Sequence, residues 1–177
     1  RFEAVALARE LRAKGLESPR MARMLDLIGQ VVAASHRIQH KLRPPVLDAG
    51  LVAALQWLVA SFGERSGLTA RFESNRDEVD LAPDRAAALY RAAQEALANV
   101  AKHAQARRVG LTLFVSDQDV SLEVTDDGAG FDPKLRQKAP GFGLRALMER
   151  ARGLGGWAEV SSAPQAGTTF MFASPRA

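Results

Sequence analysis

Three short segments carry side chains that could contact a phosphorylated ligand. In the first, which has a helical pattern, Glu95 and Asn99 stand four residues apart and Lys102 and His103 follow one turn later. Residues at this spacing share one face of a helix, so a carboxylate and an amide lie side by side. Their oxygens suit a hard cation such as Mg²⁺, and the cationic side chains beyond suit a phosphate. Taken alone, a polar stripe facing water explains the segment equally well.

The second segment is DDGAGFD, which begins at Asp126 directly after an alternating, strand-like run. Gly128 and Gly130 allow the backbone to approach a flat or charged ligand closely. The Asp126 carboxylate can accept a hydrogen bond from the exocyclic amine of adenine. An ordinary Asp-Gly turn is the competing interpretation. A calcium loop is excluded, because it needs more oxygen ligands at regular spacing and a closing glutamate.

The third segment, Gly141-Phe142-Gly143-Leu144, leads into a helical pattern. A Gly-x-Gly sequence at a helix N-terminus can bind phosphate, because free N–H groups and the helix dipole point towards the anion. The surrounding residues match neither a Rossmann fingerprint nor a P-loop. A fourth segment, Gly167-Thr168-Thr169, enters the last strand-like run.

The hydrophobic patterns predict an α+β domain that would position these segments, with the helices segregated to one face of a sheet. Helices are predicted over residues 48–65, 83–103 and 143–154. Strands are predicted over residues 68–73, 108–115, 120–125, 157–162 and 168–173.

Residues 1–45 carry only helical periodicity and are predicted to form a helical hairpin. After an interruption at residues 15–19, a heptad seam recurs at Met21, Met24, Ile28, Val31, Ser35, Ile38 and Leu42. A hairpin this thin cannot bury its seam alone, so a homodimer built on a four-helix bundle is predicted. Packing of the seam on the second half of the same chain is the alternative. Pro44-Pro45 ends the helix, which divides the chain into domains 1–45 and 46–177.

Composition narrows the class of protein. The 177 residues are 47% hydrophobic, which is enough for a core, yet no apolar run approaches the roughly 18 residues of a membrane span. Basic residues are scattered and aromatic residues make up only 6%, which argues against nucleic-acid binding. Cysteine is absent, which excludes disulfides and fits a cytoplasmic location. Because the chain opens at Arg1 within a helical pattern, we expect a longer parent that reaches a membrane, if at all, through its other parts.

In their order and context the four segments resemble the GHKL ATPase family. More narrowly, they resemble the catalytic region of bacterial sensor histidine kinases of the nitrate-sensor-like subfamily. QEALANVAKHAQA resembles the N box, DDGAGFD the G1 box and GFGLRALMERARGLGG the G2 box, while LRPPVLDAGLVAALQWL indicates the subfamily. The resemblance covers nearly all of the chain. It implies a two-layer α/β sandwich, with a mixed sheet and helices on one face, preceded by the helical hairpin.

The resemblance also implies ATP and Mg²⁺ as cofactors and a role for each matching residue. Asn99 would ligate the Mg²⁺ that bridges the phosphates, and Glu95 would polarise the attacking group or orient the metal's ligands. Asp126 would bind the adenine amine, with Thr168 helping through a water. Residues 131–140 would form a short, mobile lid over ATP. The remaining expected ATP contacts are Lys102, His103, Gly128, Gly130, Gly141, Gly143 and Leu144.

The implied function is the ATP-binding catalytic portion of a sensor histidine kinase. Such a protein transfers the γ-phosphoryl group of ATP to a histidine, which passes it to an aspartate on the receiver domain of a response regulator. His36 is followed by Arg37 and His40 by Lys41, whereas an acidic residue follows the acceptor in the family. We therefore expect the acceptor upstream of this chain. A non-catalytic regulator or phosphotransfer scaffold on the same fold, or an anti-sigma-type serine kinase, is the alternative.

Overall fold

The computed structural model describes residues 44–132 and 142–176, together with Arg23 and Leu27. The chain divides into two compact units, Arg1–Arg43 and Pro44–Ala177. The division falls two residues before the predicted one: Pro45 begins the 3-10 turn of the second unit, and the Pro44 carbonyl accepts a hydrogen bond from the Leu47 N–H of that turn. The predicted hairpin with its seam, and residues 133–141, lie outside the described residues.

Five strands form a single mixed sheet. They are β1 (Thr69–Ser74), β2 (Arg108–Val115), β3 (Asp119–Asp126), β4 (Trp157–Ser162) and β5 (Thr168–Pro175). Their order across the sheet is β1-β2-β3-β5-β4. The β1–β2 pair is parallel and the other three pairs are antiparallel. As a result, the end of β3 lies beside the beginnings of both β2 and β5.

Three α-helices pack against one face of this sheet. They are α1 (Leu51–Ser66), α2 (Pro83–Asn99) and α3 (Phe142–Gly153), with a 3-10 turn over Pro45–Ala49 and a π-helical turn over Val100–Ala104. Helix α1 begins three residues later than predicted, because Gly50 adopts a left-handed φ of 89° after the 3-10 turn. Among the residues that the structure describes, no helix combines the length and the hydrophobicity needed to span a bilayer.

Helix α2 is continuous with the π turn that follows it. Pro83 occupies the first turn, where its missing N–H costs nothing, and alanine-rich sequence favours the helix beyond it. The sequence predicts one uniform helix over residues 83–103, because a single π turn changes the hydrophobic period too little to be recognised over five residues. Such turns occur often at functional sites.

The core lies between the helices and the inner face of the sheet. Residues of β2 and β3 alternate between buried and exposed, as expected for strands covered on one face. Helix α2 contributes mostly small side chains, which let its backbone lie close to the sheet. Its buried residues are Ala86, Ala88, Leu89, Tyr90, Ala92, Ala93, Ala96 and Leu97. This packing carries the C-terminal end of α2 to the edge of the sheet where β3 ends.

Candidate functional site

A cavity of about 60 Å³ opens between the end of α2, the π turn and the adjoining ends of β3, β4 and β5. Apolar side chains and backbone form most of it, and a few polar side chains converge on it, as is common for small-molecule sites. The cavity is lined by Ala96, Asn99, Val100, His103, Ala104, Val124, Asp126, Gly130, Phe131, Val160, Thr168 and Phe170.

Five of the residues predicted from sequence therefore share one cavity, although they come from three separate segments. These five are Asn99, His103, Asp126, Gly130 and Thr168. Glu95, Lys102, Gly128 and Gly143 lie outside its lining. Gly141 and the side chain of Leu144 are not among the parts of the chain that the structure describes.

Asp126 is the polar side chain most enclosed by this cavity. It is the last residue of β3, it is 7% exposed, and the strand register places it opposite Thr168 of β5. Its Oδ1 accepts a hydrogen bond from the Gly128 N–H at 2.8 Å. Burial raises the pKa of Asp126, and backbone hydrogen bonds from Gly128 and Thr168 partly oppose that rise. An ionised carboxylate only accepts hydrogen bonds, so this group suits a ligand that donates one.

The loop after Asp126 packs directly on the π turn. The Ala129 N–H donates to the Ala104 carbonyl at 2.7 Å. A Cβ on Gly128 would overlap that same carbonyl, so glycine is required by the approach of two backbone segments. At Gly130 a Cβ would overlap the Ala163 carbonyl in the same way. Both glycines thus allow the loop to close the cavity.

Asp127 holds the other side of this loop, and the sequence analysis assigned it no role. Its Oδ1 accepts hydrogen bonds from the N–H groups of Arg107 and Arg108, both at 2.8 Å. Its Oδ2 lies 2.9 Å from the Arg108 Nε. The backbone hydrogen bond from Arg108, its guanidinium and the Arg107 N–H lower the pKa of Asp127 from 3.8 to about 2. Asp127 therefore fastens the end of β3 to the start of β2.

Ser162, at the end of β4, is a second residue that the sequence analysis missed. Its Oγ accepts a hydrogen bond from the Phe131 N–H at 2.9 Å and donates one to the Gly167 carbonyl at 2.8 Å. The same oxygen lies 3.2 Å from Thr168 Oγ1. One hydroxyl thus joins the loop after β3, the β4–β5 turn and a cavity-lining threonine. The serines and threonines near Gly167 were the available signal, but sequence does not show which of them faces inward.

The other polar groups in or near the cavity wall come from helices. Asn99 ends α2 and is half-buried in the cavity wall, and His103 reaches the same wall from the π turn. Lys102 is exposed to solvent. Glu95 lies one turn before Asn99 and contacts the start of α3, where a Cβ on Gly143 would overlap its carboxylate. The structure therefore brings the Glu95 segment and the Gly143 segment together.

The side chains of Asn99 and Glu95 carry oxygen atoms that could help to hold a magnesium ion. Within the described part of the chain, no three acidic, histidine or cysteine side chains form a metal cluster. Asn99 and Glu95 supply at most a few oxygen ligands from the protein. Mg²⁺ commonly takes few protein ligands and completes its octahedron with phosphates and waters.

Comparison with known proteins assigns the family. Residues 84–177, more than half of the chain, match the family described as histidine kinase-, DNA gyrase B- and HSP90-like ATPase. The chain belongs to this family.

Among curated proteins the chain is similar to three sensor kinases. It is 34% identical to the sensor histidine kinase MctS of Rhizobium johnstonii over 87% of this chain and 34% of that protein. It is 36% identical to the sensor histidine kinase ComP of Bacillus subtilis over 77% of this chain and 18% of that protein. It is 35% identical to the histidine-protein kinase/phosphatase UhpB of Salmonella typhimurium over 74% of this chain and 26% of that protein. The chain spans about a third or less of these relatives.

Solved structures show the same fold. The histidine kinase domain of the blue-light activated kinase from Erythrobacter litoralis matches with a TM-score of 0.59 at 18% identity, covering 98% of this chain and 82% of that one. The catalytic domain of histidine kinase ThkA matches with a TM-score of 0.57 at 17% identity, covering 71% and 91%. These matches confirm the expected α+β fold. The family match and the curated relatives confirm the resemblance to sensor histidine kinases.

Proposed function

We propose that the unit Pro44–Ala177 is the ATP-binding catalytic domain of a sensor histidine kinase, and that residues 1–43 belong to its dimerisation region. One observation carries the proposal: Asp126 and Thr168, paired across β3 and β5, share a cavity with Asn99 at the end of α2. A base-binding carboxylate and a metal-binding amide thus face one space. Membership of an ATPase family supports ATP as the ligand.

The base of ATP enters the end of the cavity at Asp126. Its carboxylate accepts from the exocyclic amine of adenine, and Gly130 and Phe131 line the wall beside it. The apolar side chains Val124, Val160 and Phe170 exclude water from this end. The interaction is strong because a charged acceptor in a partly dry site makes a stronger hydrogen bond than in water.

The phosphates lie at the other end, beside Asn99 and His103. A bound Mg²⁺ would offset the negative charge of the phosphates. Asn99 would supply an oxygen to that ion, and Glu95, from the neighbouring turn, would orient the ligands of the ion or the attacking group. Lys102 and the N–H groups at the start of α3 add positive potential. Phosphoryl transfer depends mainly on positioning and charge stabilisation, so these groups are sufficient on the ATP side.

In the parent protein the γ-phosphoryl group passes to a histidine and then to a response-regulator aspartate. This part of the proposal rests on similarity to sensor histidine kinases of much greater length. We further propose that the domain lies in the cytoplasm and that the parent protein forms a homodimer through its N-terminal helices. Because His36 and His40 lack the expected acidic neighbour, the acceptor belongs upstream, and this chain alone binds ATP without efficient autophosphorylation.

Calorimetric titration with ATP, with and without Mg²⁺, tests the proposal. We expect Mg²⁺ to tighten binding to the unmodified chain, and Asn99→Ala to remove that effect, with a loss of roughly tenfold or more. Gln56→Ala is the matched control, because it deletes an exposed amide on α1 outside the cavity. Failure of the folded, unmodified chain to bind ATP would contradict the proposal and favour a non-catalytic regulator on the same fold.

A further inference from the structure

Ser162 and Thr168 form a hydrogen-bonded pair whose direction is fixed by a third group. A serine hydroxyl has one hydrogen to donate and two lone pairs that accept. The Ser162 hydrogen goes to the Gly167 carbonyl at 2.8 Å, and one lone pair accepts the Phe131 N–H at 2.9 Å. Only a lone pair therefore remains for Thr168, whose Oγ1 lies 3.2 Å away.

Thr168 must then be the donor in this contact. Its single hydroxyl hydrogen points towards Ser162, and its own lone pairs are left to accept. Thr168 lines the cavity and stands opposite Asp126 in the β3–β5 register. The base end of the cavity therefore presents two acceptors side by side, the Asp126 carboxylate and the Thr168 hydroxyl.

We propose that Ser162 is a positioning residue for base selectivity: by orienting the Thr168 hydroxyl as an acceptor, it makes the site prefer a purine that carries an amine at its 6-position. The inference deepens the proposed ATP function and rests on it. A 6-amino group donates two hydrogens, which two acceptors receive directly or through a water. A purine without the amine leaves both acceptors unused, and a 6-keto purine places an acceptor against them.

Ser162 has no contact with the base in this arrangement, so its effect must pass through Thr168. Removing the Ser162 hydroxyl lets the Thr168 hydroxyl rotate and donate into the cavity. Loss of the hydrogen bond between the Phe131 N–H and Ser162 would weaken the binding of every purine nucleotide. Loss of the fixed orientation of the Thr168 hydroxyl would weaken the binding only of nucleotides that carry the amine. The two consequences are separated by comparing ATP with purine ribonucleoside triphosphate, which differs only in lacking the 6-amino group.

The experiment measures the dissociation constants of both nucleotides, in Mg²⁺, for the unmodified chain and for Ser162→Ala. We expect Ser162→Ala to lower the preference for ATP over purine ribonucleoside triphosphate by roughly two- to tenfold, the factor for one neutral hydrogen bond. Ser162→Thr, which keeps the hydroxyl, should restore the preference. Ser161→Ala is the matched control, because Ser161 is exposed on the opposite face of β4 and should leave the preference unchanged.

Thr168→Val provides a second test, because it leaves in place the hydrogen bond that Ser162 accepts from the Phe131 N–H and the one that it donates to the Gly167 carbonyl. Thr168→Val should lower the preference for ATP over purine ribonucleoside triphosphate as much as Ser162→Ala does. Because both substitutions act through the Thr168 hydroxyl, the double variant should lower the preference no further. An equal loss of affinity for both nucleotides in Ser162→Ala, or an unchanged preference in Thr168→Val, would overturn the inference while the proposed function stands. Failure of the unmodified chain to bind either nucleotide would overturn the proposed function itself.

Discussion

The proposed base end and the proposed phosphate end of the site are built in different ways. At the base end, Asp126 and Thr168 face each other on neighbouring strands. The hydrogen bonds that the Asp126 and Asp127 carboxylates accept, together with those of the Ser162 hydroxyl, join three backbone segments. At the phosphate end, Asn99 and Glu95 project from one helix, and the facing Gly143 belongs to another.

This difference in construction indicates how well each end tolerates movement and amino-acid substitution. Strand register couples every residue of β3 to its partners on β2 and β5. A group at the base end therefore cannot move without breaking backbone hydrogen bonds between these strands. Two packed helices are joined through side chains, which can change rotamer. We therefore expect the base end to be preformed and intolerant of substitution, and the phosphate end to adapt.

The largest effect is expected for Asp126→Asn, which removes the charged acceptor at the base end. An asparagine oxygen can still accept from the Gly128 N–H, so the fold should persist. A hydrogen bond to a charged group contributes about 1.5–3 kcal/mol, so ATP affinity should fall about ten- to hundredfold. Calorimetry measures this loss, and Asp80→Asn, at an exposed carboxylate elsewhere, serves as the control. Unchanged ATP affinity in Asp126→Asn would exclude this end as the base site.

Two glycine substitutions compare the ends directly. In Gly128→Ala the new methyl group meets the Ala104 backbone carbonyl, which can move only by displacing the π turn. Such overpacking costs about 1–3 kcal/mol of unfolding free energy. In Gly143→Ala the methyl group meets the flexible end of Glu95, and alanine favours the helix by up to about 1 kcal/mol.

Urea denaturation of both variants measures these costs. We expect Gly128→Ala to be clearly destabilised and Gly143→Ala to be nearly neutral. A larger loss of stability in Gly143→Ala than in Gly128→Ala would show that the end formed by the helices is the more rigid one.

Asp127→Asn should have a moderate effect that depends on pH. The pKa of Asp127 is lowered from 3.8 to about 2 in the folded state, so its ionised form stabilises the fold above pH 3.8. That stabilisation is lost as the pH falls through about 2. The difference in stability between the unmodified chain and Asp127→Asn should therefore be constant near neutrality and shrink between pH 3.8 and 2.

Urea denaturation across this pH range, at low and high salt, measures the effect. Salt should reduce the difference, because the Arg108 contact is exposed. A difference that persists unchanged at pH 2 would mean that the charge of Asp127 contributes nothing.

The smallest effect is expected for Lys102→Ala. Lys102 is exposed and lies outside the cavity lining, so we expect it to act on the phosphates only through screened charge. ATP affinity should fall less than about threefold at moderate salt, and less still at high salt. A loss comparable to that of Asn99→Ala, measured in the same titration, would place Lys102 in direct contact with ATP.

How much could be predicted from sequence differs between the two ends. Glu95 and Asn99 are four residues apart, and the helical repeat places residues at that spacing on one face. Their common face could therefore be predicted from this short segment alone. The pairing of Asp126 with Thr168 joins residues from segments far apart in the chain, and the short patterns in each segment do not specify register. The resemblance to a family named both residues, but local physical chemistry alone could not have placed them together.

The residues that the sequence analysis missed share one property. Asp127 and Ser162 form hydrogen bonds with backbone N–H groups and carbonyls of other segments. Because nearly every residue carries these backbone groups, the residue types do not reveal such partners. The same holds for the glycines: the need for Gly128 comes from the carbonyl of Ala104 on the π turn.

By itself, the sequence determined which segments form helices and strands, and which side chains share a helix face, because these depend on periods of a few residues. The tertiary structure decided which of two adjacent aspartates enters the cavity and which fastens β3 to β2. It also decided the direction of the Ser162–Thr168 hydrogen bond. Those outcomes depend on strand register and on the approach of distant backbone groups, whose positions are set only when the whole sheet and its helices pack together.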